Sequence, residues 1–172
     1  MSAQPSFDVA IIGAGPGGYV AAIRAAQLGL NTVVIERDSR FGGTCTLRGC
    51  IPTKALLRDA HLLHEVKKAL QQGLFKTGGI EFDFEKIQAR KNDIIAKSNK
   101  GIDYLFRKNK VNVVRGTATL ISPNRVRVSG DTPSEIEARN IVVATGSEAK
   151  PLPGYAVDEQ RIITNVGALD MN

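Results

Sequence analysis

Two cysteines stand five positions apart in the run Cys45-Thr46-Leu47-Arg48-Gly49-Cys50. Thiols at such a separation can cycle between dithiol and disulfide, or ligate a metal with help from other residues. Along a regular helix five residues rise about 7.5 Å. That exceeds the usual Cα separation across a disulfide, about 4.4–6.8 Å. The pair can therefore bond only where the segment bends, and Gly42, Gly43 and Gly49 permit bending. Cys50 stands just before Pro52, a residue suited to a first helical turn because its missing N–H would have no partner there. A helix N-terminus, with Arg48 and Lys54 nearby, is expected to activate this sulfur. A metal would need further ligands. His61 and His64 lie at least two turns along the same predicted helix and no second cysteine pair exists, so no metal site is expected.

The second chemical signal is Gly13-Ala14-Gly15-Pro16-Gly17-Gly18, which matches G-x-G-x-x-G. It sits between a predicted strand and a predicted helix, the context that gives the pattern meaning. Gly13 suits a tight turn, Gly15 the close approach of a pyrophosphate, and Gly18 packing of helix on strand. The helix N-terminus offers N–H groups and a partial positive charge to phosphates. Glu36 ends the next strand, near the spacing of about 20 residues expected of an acid that binds ribose hydroxyls. The motif alone does not separate NAD from FAD. A dithiol beside a dinucleotide site points to a flavin, which accepts electrons from a thiolate as well as hydride from nicotinamide.

These groups need elements to carry them. Residues 7–12 read as a buried strand, 17–29 as a helix closed by Gly29, and 32–35 as a second strand, a β-α-β unit with a parallel pair. A glycine-rich loop at 41–49 precedes a helix over about 52–72. Apolar residues from Phe84 to Phe106 recur at helical spacing and predict a long amphipathic helix ending near Asn109. Short runs at 111–115, 117–121, 125–128 and 135–138, broken by Pro123-Asn124 and Gly130-Asp131, predict a meander. A last buried strand at 141–144 runs into Thr145-Gly146-Ser147, and the sequence past Pro151 reads as loop. The fold class is α/β: a Rossmann-like parallel sheet with a β-meander insertion.

The 172 residues contain 42% hydrophobic and 23% charged residues, a globular composition. Lys and Arg number 23 against 17 Asp and Glu, but the charges are interspersed, as on a solvated helix face, so no nucleic-acid partner is expected. The most apolar stretch, 9–30, holds five glycines, a proline and Arg24, so no membrane span is expected. The N-terminus has neither the basic start and apolar core of a signal peptide nor the arginines of a transit peptide. The expected location is cytoplasmic, where thiols are kept reduced and a permanent structural disulfide is disfavoured.

The sequence resembles the flavin disulfide oxidoreductases, the class I pyridine nucleotide-disulfide oxidoreductases, and among them the dihydrolipoamide dehydrogenases most closely. The resemblance is carried by residues 13–19, Glu36-Arg37, the segment 42–57 around the cysteines, Gly116 with Ala118, and Ala144-Thr145-Gly146-Ser147. It implies bound FAD, with Glu36 at the adenosine ribose. Gly13, Gly15 and Thr44 would line the pyrophosphate, Pro16, Gly18, Arg37, Gly43 and Cys45 would also contact the cofactor, and Lys54 would lie near the flavin. Gly116 and Ala118 would face the adenine, and Thr145, Gly146 and Ser147 would close over the cofactor. Cys50 would be the charge-transfer thiol and Cys45 the interchange thiol that meets a lipoyl-carrying protein or a small disulfide.

Two departures stand out. Thr46-Leu47-Arg48 replaces the family's usual Leu-Asn-Val, and Thr53 the commoner Ser. The family pattern also divides the chain into an FAD-binding first segment, 1–150, and a linker, 151–172, leading to an NAD-binding domain that lies beyond it. On that expectation the chain is the first part of a homodimeric enzyme passing electrons between a dithiol, the cysteine pair, FAD and NAD, and is inactive alone. Glutathione reductase-like or mercuric reductase-like activity would use the same cysteines. A non-catalytic flavin-binding module and a plain NAD-binding domain are the other readings.

Overall fold

Phe7–Ile12 (β1), Pro16–Gln27 (α1) and Thr32–Glu36 (β2) form the expected β-α-β start in the computed structural model, which describes residues 6–130 and 133–171. The strands run parallel, with Val9 opposite Thr32 and Ile12 opposite Ile35. The helix starts where Pro16 takes the first helical position and ends at Leu28 before Gly29, which adopts a φ of +85°. Downstream lie Gly43–Arg48 (α2), Cys50–Gln71 (α3) and Phe84–Lys108 (α4). Then come Asn112–Arg115 (β3), Thr117–Ser122 (β4), Arg125–Ser129 (β5), Ser134–Val143 (β6) and Asn165–Leu169 (α5).

The six strands form one sheet in the order β3-β2-β1-β6-β5-β4. The first four are parallel; β4, β5 and the start of β6 are antiparallel, which is the predicted meander. Strand β6 serves both halves. Its residues from Ser134 to Glu137 pair with β5, and those from Ala138 to Val143 pair with β1.

Alternation along β1 and β2 sends side chains to two cores. Ala10, Ile12, Val33 and Ile35 pack with Val126, Val128, Ile136 and Ala138 of the meander. Ile11 and Val34 face the other way, onto Ala22 of α1 and Ile102 and Phe106 of α4. With both faces covered, all five residues of β2 are buried, the signature of a central parallel strand.

Three expectations about local structure differ from what is observed. The predicted loop 41–49 contains α2, a single short helix whose six residues, Gly43 through Arg48, are too few to show a periodicity. The separate runs 135–138 and 141–144 are one strand: Arg139 and Asn140 break the apolar pattern but sit where the strand passes from one pairing partner to the other. The tail past Pro151 contains α5, capped by the Thr164 hydroxyl, which accepts the Val166 N–H at 3.1 Å. The predicted turn at Gly130-Asp131 lies partly outside the described residues.

The chain divides into two compact units. One comprises Met1–Leu47 and Lys97–Glu148, the other Arg48–Ala96 and Ala149–Asn172. The sheet, α1 and the second half of α4 belong to the first; α3, the first half of α4 and α5 belong to the second. No helix among the described residues is long and apolar enough to cross a membrane.

Candidate functional site

The carboxyl ends of β1, β2, β3 and β6 lie side by side, and the segments leaving them form one cluster in the first unit. Open parallel sheets bind ligands at this edge. Gly13 leaves β1 with a φ of +101°, and a Cβ there would lie 2.4 Å from the Ala144 carbonyl oxygen, so only glycine fits. A Cβ at Gly18 would fall 1.8 Å from the Gly13 carbonyl oxygen, which fixes how closely α1 approaches the turn. Gly15 is different. Its φ is −70°, open to any residue, and a Cβ would meet nothing nearer than the Gly43 Cα at 3.8 Å. The fold itself does not require glycine at this position. Gly15 is also the N-cap of α1 and supplies no side-chain acceptor, leaving first-turn N–H groups available to an anion.

Glu36 closes the other side. Although it is charged, it is 7% exposed. Its Oε2 accepts the Ala14 N–H at 2.7 Å and its Oε1 the Asp38 N–H at 2.9 Å. The carboxylate thus ties the glycine turn to the end of β2, and each oxygen retains a further lone pair for a ligand hydroxyl. Arg37 is exposed and pairs with Glu148. That hydrogen bond, reinforced by the charge of Glu148, raises the guanidinium's already high pKa.

A second glycine turn docks on the first. The Gly42 N–H donates to the Ala14 carbonyl at 2.8 Å, and a Cβ at Gly43 would lie 2.8 Å from the Gly15 Cα. Thr44 Oγ1 donates to the Ser147 carbonyl at 3.1 Å and so ties the start of α2 to the segment after β6. Gly116 donates its N–H to the Glu36 carbonyl at 3.0 Å. Its φ of +146° and its closeness to the Ser129 carbonyl exclude a side chain. Ala118, half-buried, packs at the edge of the meander core. Thr145, Gly146 and Ser147 are exposed.

The first unit therefore gathers Gly13, Gly15, Pro16, Gly18, Glu36, Arg37, Gly43, Thr44, Gly116, Ala118, Thr145, Gly146 and Ser147, with half-buried Cys45 on α2. Cys50 and Lys54 belong to the second unit, where Cys50 is the first residue of α3 and both are exposed. Between Cys45 and Cys50 the chain leaves α2 and enters α3 through Gly49, at φ −149° and ψ −110°. A break between two helices thus separates the cysteines along the chain. His61 and His64 are exposed on α3, and no group of three potential metal ligands occurs among the described residues.

Two residues of this region carry no motif. The Arg115 guanidinium lies 4.0 Å above the ring of buried Phe41 and donates to the Asp38 carbonyl. Burial lowers its pKa, partly offset by Glu36, Asp103 and Asp38. Phe41 meets Phe106 edge-on at 5.0 Å, and its carbonyl accepts from Asn99 at 3.0 Å. The register that sets Arg115 opposite Glu36 across β2 and β3 brings the cation to the site. Only a correct strand order could have shown this.

The donor set and the spare volume at Gly15 fit a dinucleotide: turn N–H groups for the pyrophosphate and a buried carboxylate for a ribose. The comparisons with known proteins supply a family. The family model described as pyridine nucleotide-disulphide oxidoreductase matches residues 7–171. A dihydrolipoyl dehydrogenase of Manduca sexta is 47% identical over 165 residues, covering 95% of this chain and 33% of that protein. The mitochondrial dihydrolipoyl dehydrogenase of Schizosaccharomyces pombe is 42% identical over 174 residues, 99% of this chain and 34% of that protein. A leghemoglobin reductase of Vigna unguiculata is 45% identical over 166 residues, 94% of this chain and 31% of that protein. The chain thus spans about a third of the length of these relatives. With the family model matching nearly its whole length, the chain belongs to the pyridine nucleotide-disulphide oxidoreductase family.

Proposed function

We propose that this chain is the FAD-binding and thiol-carrying part of a dihydrolipoyl dehydrogenase. The observation that carries the reading is Gly15, a position where the protein has room for a side chain and bears none. Turn N–H groups at Gly15–Gly18 hold the pyrophosphate, and Glu36 accepts from the adenosine ribose hydroxyls. Arg37 flanks the ribose, while Gly116 and Ala118 bound the adenine. Gly43, Thr44 and the segment from Thr145 to Ser147 close the site, and Lys54 lies toward the flavin ring.

Cys45 and Cys50 are the exchanging pair. A lipoyl dithiol gives up two electrons and two protons: its S–S bond forms as the Cys45–Cys50 bond breaks, leaving both cysteines as thiols. Cys45 meets the substrate sulfur and Cys50 stays on the cofactor side. FAD, when bound, supplies the two-electron chemistry that returns the pair to the disulfide, with NAD as final acceptor. The donor is a lipoyl-carrying protein and the whole enzyme is a homodimer. Support comes from the family match and from relatives named dihydrolipoyl dehydrogenase.

The cofactor assignment is tested by titrating the chain with FAD and with NAD and following flavin fluorescence and nicotinamide competition. The expected result is saturable binding of one FAD per chain, displaced poorly by NAD. Preferential binding of NAD would make this a nicotinamide domain and overturn the flavin reading.

A further inference from the structure

Asn165 opens α5, and its Nδ2 donates to the Arg48 carbonyl at 2.5 Å. That carbonyl belongs to the last residue of α2, two residues before Cys50. The amide thus grips the chain at the break just before Cys50, the first residue of α3. Both ends of this contact lie in the second unit.

The helix that carries Asn165 is itself firmly held. Glu159 accepts the Thr164 hydroxyl at 2.6 Å and the Gly167 N–H at 2.9 Å. On α4, Lys91 is 1% exposed, and its ammonium donates to the Leu169 carbonyl at 2.6 Å and the Asp170 carboxylate at 3.0 Å. Gln88 adds a bond to the Met171 carbonyl at 2.6 Å. A buried ammonium is costly unless fully paired, so a lysine committed to these two acceptors pins the end of α5.

We propose that Asn165 is a positioning residue for Cys50, holding the Arg48 carbonyl so that the break between α2 and α3 presents the sulfur in one orientation. Lys91 acts at one remove by fixing α5. The inference rests on the reading of Cys45 and Cys50 as a redox pair. Neither Asn165 nor Lys91 touches a reacting atom; they set where one sulfur stands.

The test uses Asn165→Asp, which keeps the side chain's shape but replaces the donor with a second acceptor facing a carbonyl. The chain is equilibrated in glutathione buffers, and the disulfide-to-dithiol constant is read by alkylation and mass spectrometry. Cys50 alkylation in the reduced chain is timed separately. Asn165→Asp is expected to lower the disulfide constant and slow Cys50 alkylation by about three- to tenfold, the size of one net hydrogen bond. Asn165→Gln restores part of the loss, and Lys91→Met shifts both readouts the same way. Asp59→Asn, which breaks the Arg90 ion pair elsewhere on α3, leaves both at wild-type values. A lower melting temperature with both thiol readouts unchanged would reduce Asn165 to a structural tie and overturn the proposal. If wild type forms no reversible disulfide at any glutathione ratio, the redox-pair reading falls, while the Cys50 alkylation rates still decide the role of Asn165.

Discussion

Gly15 and Gly18 are three residues apart and answer to different demands. Gly18 is a glycine for the fold: any Cβ there must displace the Gly13 backbone. Gly18→Ala is expected to cost about 1–3 kcal/mol, at the upper end because the obstacle is main chain. Gly15 is a glycine for a ligand. Gly15→Ala should leave stability within about 0.5 kcal/mol of wild type and remove dinucleotide binding. Urea unfolding curves and FAD titrations on the two variants measure both effects. A Gly15→Ala chain that still binds FAD as wild type does would remove the observation on which the proposed function rests. Glu36 joins the two demands, since its carboxylate already serves the Ala14 and Asp38 N–H groups before any ribose arrives.

At the scale of elements, the longest and most regular were legible in the sequence, because periodicity accumulates over many residues. Strands β1 and β2, and helices α1, α3 and α4, follow from apolar spacing and from Gly29 and Pro52. Helix α2 did not, since glycines surround it and its structure depends on Gly42, where Thr46 occupies the space a Cβ would take. Nor did α5, which is made by capping. The Asp158 carboxylate accepts N–H groups of Gln160, Arg161 and Ile162, and these bonds hold it below the usual carboxylate range. The bond from Thr164 lowers Glu159 likewise. With folded values below unfolded ones, the contribution to stability is complete above the ordinary carboxylate range, near pH 4. It is lost only as pH falls through the depressed folded values. Amide exchange at Gln160–Ile162 and Gly167, corrected for intrinsic rates, should therefore show constant protection from about pH 7 to pH 5 and release below about pH 4. Release already between about pH 7 and pH 5 would mean that these carboxylates do not anchor α5.

For the whole molecule, the cluster that the first unit gathers was legible where it follows one short segment, as in 13–18 and 42–45, and hidden where it depends on strand order. Arg115 and Phe41 illustrate the limit: they meet only because β3 takes the place beside β2, which no local pattern announces. The same strand order assembles turns from four strands into one edge, whereas the two cysteines fall in different compact units. Their partnership is argued from spacing and family. It is also the part of the account most open to a direct measurement. The visible absorption spectrum of the FAD-loaded chain would be recorded anaerobically before and after addition of a lipoyl dithiol, beside Cys45→Ser and Cys50→Ser. The account predicts a flavin spectrum that responds to the dithiol in wild type and does not in either variant. An equal response in all three would show that electrons reach the flavin without the cysteine pair and would contradict the central claim.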